Sequence, residues 1–340
     1  MPAATLKALI HKVADSKTLS AEEMRSALEI MTEGHATHAQ MGAFLMALRV
    51  RGETVDELTG AAQMMRSKML RVNAPQGAVD IVGTGGDAHG TFNVSTCSSL
   101  VAAGAGLKIA KHGSRSVSSL AGASDVLSAL GVKLDASAAT VERCITEAGV
   151  GFMFAPNHHP AMKNWAPIRA ELGVRTIFNL LGPICNPAGA RRQVIGVYSW
   201  HWVEPVAHVL NTLGADHVWV VHGHDGLDEL TTTGSTDIAE VKDGKVTVFE
   251  VTPQDAGLPP AKLSDLKGGD PQTNAAAIRA VLDGQKGPFR DIVLLNTAAA
   301  LIVGAKATNL SDGVALATHS IESGAAKAAL GKLVTLTNGA

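Results

Sequence analysis

The sequence predicts an α/β protein in which a small helical domain precedes a larger α/β domain with a mostly parallel central sheet. Three observations carry that expectation. About the first seventy residues read as helices only, with three helix-start signals and few β-branched runs. Beyond them, short apolar runs ending near glycine alternate with helical stretches, the order that a parallel sheet needs. The 35 Gly, the abundant Ala and an aromatic content of only 4% suit helices packed closely on such a sheet better than an aromatic-rich β-sandwich.

The helical module is marked by capping boxes, in which a hydroxyl residue and a Glu or Gln three positions later satisfy each other's backbone donors. They are Ser20/Glu23, Thr37/Gln40 and Thr54/Glu57. After the second box, Met41, Phe44, Leu45 and Leu48 recur at helical spacing and make one apolar face. Val79-Asp80-Ile81-Val82 then reads as a strand ending in glycines, followed by a helix over 95–104. A second strand is expected over 107–110, then a loop and a helix around 125–130. Further buried strands are expected at 150–154, 193–198, 218–221 and 292–295. The segment 241–251 differs: two alternating strands flank Asp243-Gly244, a dipeptide suited to a two-residue hairpin turn. No internal repeat is visible.

A chain of 340 residues is too long for one small core and fits two domains or one large α/β unit. With 29 Lys+Arg against 31 Asp+Glu, it lacks the basic excess of a general nucleic-acid binder. Cys97, Cys144 and Cys185 are odd in number and widely spaced, which gives neither a disulfide framework nor a zinc knuckle and fits a reducing compartment. The apolar run at the start is too short for a secretory signal, and no stretch approaches the roughly 18 apolar residues of a membrane span. The expectation is a soluble cytoplasmic protein with neither nucleic acid nor membrane as partner.

Ligands of parallel sheets bind beyond the C-terminal strand ends, and three segments there carry anion chemistry. Gly83-Thr84-Gly85-Gly86-Asp87-Ala88 follows a strand, and its glycines let backbone N–H groups approach phosphate oxygens. Taken alone it reads equally as a dinucleotide loop or as a glycine-rich turn before an Asn/Ser helix cap. The dinucleotide reading wants an acidic residue at the end of the next strand, where Lys111-His112 stands instead. Asn93-Val94-Ser95-Thr96 opens the following helix. Lys111-His112-Gly113-Ser114-Arg115-Ser116-Val117-Ser118-Ser119 combines two fixed cations with four serine hydroxyls. Together the three segments favour a ligand with two separated phosphate groups.

Asp228-Glu229 supplies adjacent hard oxygen donors of the kind that bind Mg2+ beside a phosphorylated substrate. His222 and His224 suggest a transition metal, but no third nitrogen or sulfur ligand can be placed with them. The segment 154–163 contains the pair His158-His159 and is followed by Arg169, a fork for a carboxylate, and by the stretch 175–183.

In this order, the segments 83–87, 93–96, 111–119, 154–163, 169–183 and 228–229 resemble those of the anthranilate phosphoribosyltransferase family of tryptophan biosynthesis. So do 42–49 and 291–300, and the likeness covers essentially the whole chain. It implies the nucleoside-phosphorylase-like phosphoribosyltransferase fold, with residues 1–72 and 164–190 in the helical domain and 73–163 and 191–340 in the α/β domain. It also implies a homodimer formed through the helical domains and transfer of 5-phosphoribose from phosphoribosyl pyrophosphate to anthranilate. By the same resemblance, Gly83, Gly86, Asp87, Thr91, Asn93, Val94, Ser95, Thr96 and Ala123 line the donor site, with Lys111, His112, Gly113, Ser114, Arg115, Ser116, Val117, Ser118 and Ser119 around the phosphates. Ser95, Asp228 and Glu229 hold Mg2+, and Arg169 pairs with the anthranilate carboxylate, near Gly83, Ser114, His112 and His159. No catalytic base is assigned, His112 being a candidate for assisting proton loss. The chain departs from the family at Ser114, where Asn is usual, and at Ala123, where Ser is common. Two rival readings are a pyrimidine nucleoside phosphorylase-like enzyme and a non-catalytic paralogue with an altered acceptor site.

Overall fold

The computed structural model describes residues 5–85, 89–115 and 120–339. Four helices open the chain: α1 (Leu6–Ala14), α2 (Ala21–Thr32), α3 (His38–Arg51) and α4 (Val55–Lys68). The three boxes expected from the sequence start α2, α3 and α4, with both halves of each hydrogen-bonded. A box satisfies two of the four donors a helix start leaves open, which fixes where each helix begins. Met41, Phe44, Leu45 and Leu48 form the buried face of α3. Glu57 has a second role: buried in α4, it accepts from the Leu19 amide and pairs with Arg51, tying three helix ends together.

Seven strands follow, β1 (Val79–Gly83), β2 (Ile109–Gly113), β3 (Val150–Phe154), β4 (Arg192–Gly196), β5 (His217–Gly223), β6 (Thr236–Lys242) and β7 (Lys245–Val251). They lie in the order β3-β2-β1-β4-β5-β6-β7, parallel from β3 to β5 and antiparallel thereafter. The chain runs outward from β1 to β3 and then returns to the other side of β1 as β4. Strand order therefore reverses between β1 and β4, and a crevice opens there at the C-terminal ends. Gly83 and Gly196 pair at that edge. Asp243 and Gly244 both have positive φ, 51° and 76°, giving the expected two-residue hairpin between β6 and β7.

Strand residues alternate between two cores, as the period of two demands. Val79, Ile81, Val194, Trp219 and Val221 face one core, with α5 (Val94–Gly104) and the helices Pro288–Val303 and Ala325–Thr337. Val82, Ile195, Val218 and Val220 face the other, which they share with α1–α4. Trp165, Ile168, Phe178 and Leu181, from the segment between β3 and β4, join that second core and pack with the N-terminal bundle.

Two expectations are corrected. Residues 292–295 are not a strand but part of the helix Pro288–Val303. That helix is buried on nearly every side, so its apolar run lacks the one-sided period that would have marked it as helical. The second strand is Ile109–Gly113 rather than 107–110, so Lys111 and His112 lie within β2 instead of after it. Pairing with β3, Lys111 opposite Phe152 and His112 opposite Met153, extends the strand past the residues whose polarity suggested a loop.

Candidate active site

The β1 end forms the middle of the crevice. The Thr84 amide donates to Gly196 O (2.9 Å), and the Tyr198 amide donates to Thr84 Oγ1 (3.0 Å), so the first turn of the loop is fixed to β4. Gly85, at φ 66°, donates its amide to Asp228 Oδ2 (2.6 Å). The glycines at both strand ends are required by the close approach of residue 228: a Cβ on Gly83 would strike the Asp228 carboxylate, and one on Gly196 its carbonyl. The neighbouring Glu229 accepts from the Ser95 amide at the start of α5 (3.2 Å). Both carboxylates thus face backbone donors at the strand and helix ends, where the helix dipole also favours negative charge.

Asn93 precedes α5, but its side chain makes no cap bond. Its amide donates to Ala121 O (3.1 Å) while its carbonyl accepts from Asn274 Nδ2 (2.9 Å), joining the turns after β1 and β2. Thr91 pairs with Lys267 in an isolated bridge, and Thr96 is buried with a hydroxyl that has no partner among the described residues. Val94 is buried beneath that turn.

Lys111 is 2% exposed. Its ammonium donates to Ile81 O (2.6 Å) and Ser95 Oγ (3.3 Å). Burial holds its pKa below the usual lysine range, opposed by the charges of Asp80 and Glu229. Asp80 is itself fully buried and pushed up to about 6, by desolvation against the pull of Lys111, Asn186 and the His112 amide. Its carboxylate accepts from Asn186 Nδ2 (2.7 Å) and from the His112 amide (3.2 Å). Among the described residues no salt bridge joins Lys111 to Asp80; the two charges act on each other at longer range. The bonds from Lys111 to Ile81 O and from the His112 amide to Asp80 fix the β2 end against β1.

His112 Nε2 lies 3.2 Å from His159 Nε2, so one ring donates to the other. Burial first, then neighbouring histidines, pushes His112 down to about 3 and His159 to about 4. This contact joins the sheet end to the helical segment after β3. Arg169, on the helix Ala166–Leu172, lies with its guanidinium 5.5 Å from the Phe178 ring centre and has no carboxylate partner among the described residues. Burial lowers its pKa.

Ser114 and Arg115 are exposed beyond β2, and among the described residues Arg115 makes a long ion pair with Asp125 (3.9 Å). Ala123 begins a helix, its methyl near the place a Cβ on Gly113 would occupy. Gly86 and Asp87, and Ser116, Val117, Ser118 and Ser119, lie outside the described residues. His222 and His224 do not share a site: His222 is buried against Val197 O (2.7 Å), whereas His224 is exposed beside Asp237 and Glu250.

Two supporting residues escaped the sequence reading. Asn186 bridges Asp80 and Ala110 O, and Asn296 holds both backbone groups of Leu230, directly after Glu229. A polar residue in an otherwise apolar run was the available signal for Asn296, and the expected strand at 292–295 obscured it.

Comparison with known proteins completes this picture. Residues 7–69 match the glycosyl transferase family, helical bundle domain, and residues 75–327 match the glycosyl transferase family, a/b domain. Anthranilate phosphoribosyltransferase of Rhodopseudomonas palustris (strain TIE-1) is 60% identical over 331 residues, 97% of this chain and 98% of that protein. The chain belongs to the anthranilate phosphoribosyltransferase family. Another member, from Parvibaculum lavamentivorans, is 59% identical over 98% of each chain. Among solved structures of the family, the Thermus thermophilus enzyme superposes with a TM-score of 0.92 at 42% identity, covering 97% of this chain and 99% of that one. The Saccharomyces cerevisiae enzyme in complex with PRPP and Mg gives 0.89 at 30% identity over 98% of both chains.

Proposed function

We propose that the crevice transfers 5-phosphoribose from phosphoribosyl pyrophosphate to the amino nitrogen of anthranilate, releasing pyrophosphate. The observation that carries this reading is the convergence of Asp228 and Glu229 on the amides of Gly85 and Ser95, beside the buried Lys111. Full-length likeness to anthranilate phosphoribosyltransferases, including one in complex with PRPP and Mg, supports it.

The donor set fits Mg2+: two carboxylates and the Ser95 hydroxyl are hard oxygens, and Asp228, Glu229 and Ser95 would hold the ion. When bound, Mg2+ offsets the charge that develops on the leaving pyrophosphate. The chain's own groups do the rest. Residues 83–85, 93–96 and 111–115 line the phosphates, and Gly86, Asp87 and 116–119 are the remaining donor-site residues. Lys111, already held by Ile81 O and Ser95, contributes a fixed positive charge at short range. Arg169 takes the anthranilate carboxylate, with Gly83, Ser114 and His159 around the ring.

The C1–O bond to pyrophosphate breaks, the N–C1 bond forms, and the nitrogen then loses a proton. An aryl amine is already neutral at pH 7, so no strong base is required. A histidine held near pKa 3 is too weak to deprotonate the free amine. His112 remains suited to receiving the far more acidic proton of the alkylated nitrogen, directly or through water.

The reading extends to domains at 1–72 with 164–190 and 73–163 with 191–340, to a homodimer paired through the helical domains, and to a cytoplasmic enzyme. Three buried, unpaired cysteines support a reducing compartment. Among the described residues no helix is long and apolar enough to cross a membrane. The test mixes the protein with Mg2+, phosphoribosyl pyrophosphate and anthranilate and follows anthranilate fluorescence. Metal-dependent loss of signal is expected; no loss even at high anthranilate would sink the reading.

A further inference from the structure

The chain passes between helical bundle and sheet three times, and the three crossings run side by side. After α4, the Leu70 amide donates to His158 O (2.8 Å), and Leu70 O meets His158 Nδ1 (3.0 Å) in the crossing after β3. Two residues on, the Val72 amide donates to Pro187 O (3.2 Å) in the crossing that leads to β4. Beside this seam lies a cavity of about 310 Å3 lined by Arg66, Arg71, Arg191, Met69, Leu213 and Gly214.

Three guanidinium charges meet there, and among the described residues one carboxylate, Asp216, pairs with them. Arg191 pairs with Asp216 (2.7 Å) and donates through Nε to Gly214 O (2.6 Å). Arg66 donates through Nε and Nη2 to Ile184 O (3.0 and 2.7 Å) and has no carboxylate partner among the described residues. Arg71 is exposed and makes no hydrogen bond or ion pair among the described residues. Main-chain carbonyls therefore already fix two of the three planar forks, and fixed forks lose little freedom on meeting an anion. Burial and, to a smaller degree, the neighbouring Arg71 charge hold Arg66 below the usual arginine range.

We propose that this cavity is a second anion site, separate from the donor crevice, for a small phosphorylated ligand. Its volume equals that of about ten waters, enough for a phosphate on a short carbon skeleton. Met69 and Leu213 give that skeleton an apolar wall, while the arginines suit a dianionic tetrahedral group. The site is distinct from the crevice because Arg191 directly precedes β4, whose far end, Gly196, lines the crevice. A five-residue strand separates them, roughly 16 Å. A ligand bound there joins Arg66 of the bundle to Arg71 and Arg191 of the crossings and clamps the seam.

The test titrates inorganic phosphate calorimetrically into the full chain, with the donor site filled by Mg2+ and phosphoribosyl pyrophosphate. Saturable binding of one phosphate per chain is expected, weakened about tenfold or more in Arg71→Met and within about threefold of the original in Arg71→Lys. Arg71 is exposed and makes no hydrogen bond or ion pair among the described residues, so both variants keep the thermal midpoint. No saturable heat, or equal affinity in Arg71→Met, overturns the proposal. So does a matching loss of phosphoribosyl pyrophosphate affinity in that variant, which would make the cavity part of the donor site. Failure of phosphoribosyl pyrophosphate to bind the unmutated chain would instead count against the proposed function, and the phosphate titration without it still decides the cavity.

Discussion

The strand-end floor made by β1, β2 and Asp228-Glu229 and the helical wall carrying Arg169 meet at the His112–His159 pair, yet they are held in different ways. On the floor, each charged group has a defined partner: Asp228 with the Gly85 amide, Glu229 with the Ser95 amide, Lys111 with Ile81 O, and Asp80 with Asn186 and the His112 amide. On the wall, Arg169 rests beside one aromatic ring. A floor of interlocked buried bonds is preorganised for charge that develops during reaction. A lightly held arginine is free to close on a carboxylate when it arrives. The difference predicts that substituting a partnered charged group of the floor reduces turnover or stability, whereas substituting Arg169 weakens acceptor binding alone.

The largest effect is expected from Asp228→Asn, which keeps the shape but removes a charge proposed to hold Mg2+. Its kcat should fall about a thousandfold or more, with little change in thermal midpoint. A variant with near-normal kcat would remove the metal from the floor. Next is Asn296→Leu, which leaves the amide and carbonyl of Leu230 without partners in the core. Urea unfolding should show a loss of about 2–3 kcal/mol. An unchanged unfolding midpoint would mean that the loop carrying Glu229 is anchored by other contacts.

The two histidines make stability depend on pH. Their folded pKa values, about 3 and 4, are depressed below 6.5, so the stability they contribute is present above pH 6.5 and is lost as pH falls toward 4. Asp80 acts in the opposite sense, since its raised value of about 6 costs stability as pH rises from 4 through 6. Two histidines outweigh one aspartate, so denaturant midpoints should record a net loss of about 2 kcal/mol between pH 7 and 5. His159→Asn should remove roughly half of the histidine share; an unchanged pH profile in that variant would show that the pair is not responsible.

On the wall, Arg169→Ala should raise the anthranilate KM by about 10- to 100-fold and leave the phosphoribosyl pyrophosphate KM nearly unchanged. Equal damage to both substrates would erase the distinction between floor and wall. The smallest effect is expected at the exposed Ser114. Ser114→Asn should lower the anthranilate KM by a few-fold, because an added amide offers about one net hydrogen bond.

Much of the architecture was legible because it is written in local chemistry. The capping boxes of α2 to α4, the Asp243-Gly244 turn, and β1 and β3 follow from contacts between residues near in sequence. The site segments stood out for the same reason, since cations, hydroxyls and glycines cluster within a few residues. Their supports were not legible. Asn186 lies 106 positions from Asp80, and Asn296 lies 66 from Leu230; nothing in either neighbourhood names the distant partner.

The sequence by itself determined the order of elements, the turn chemistry and the glycine-rich strand end, because these depend on backbone preferences of adjacent residues. Tertiary structure decided the rest. It made 292–295 a turn of a buried helix, since a helix covered on most sides needs no polar face. It drew Lys111 into β2 and into the core, because only there do Asp80, Glu229, Ile81 O and Ser95 together offset the cost of burying a charge.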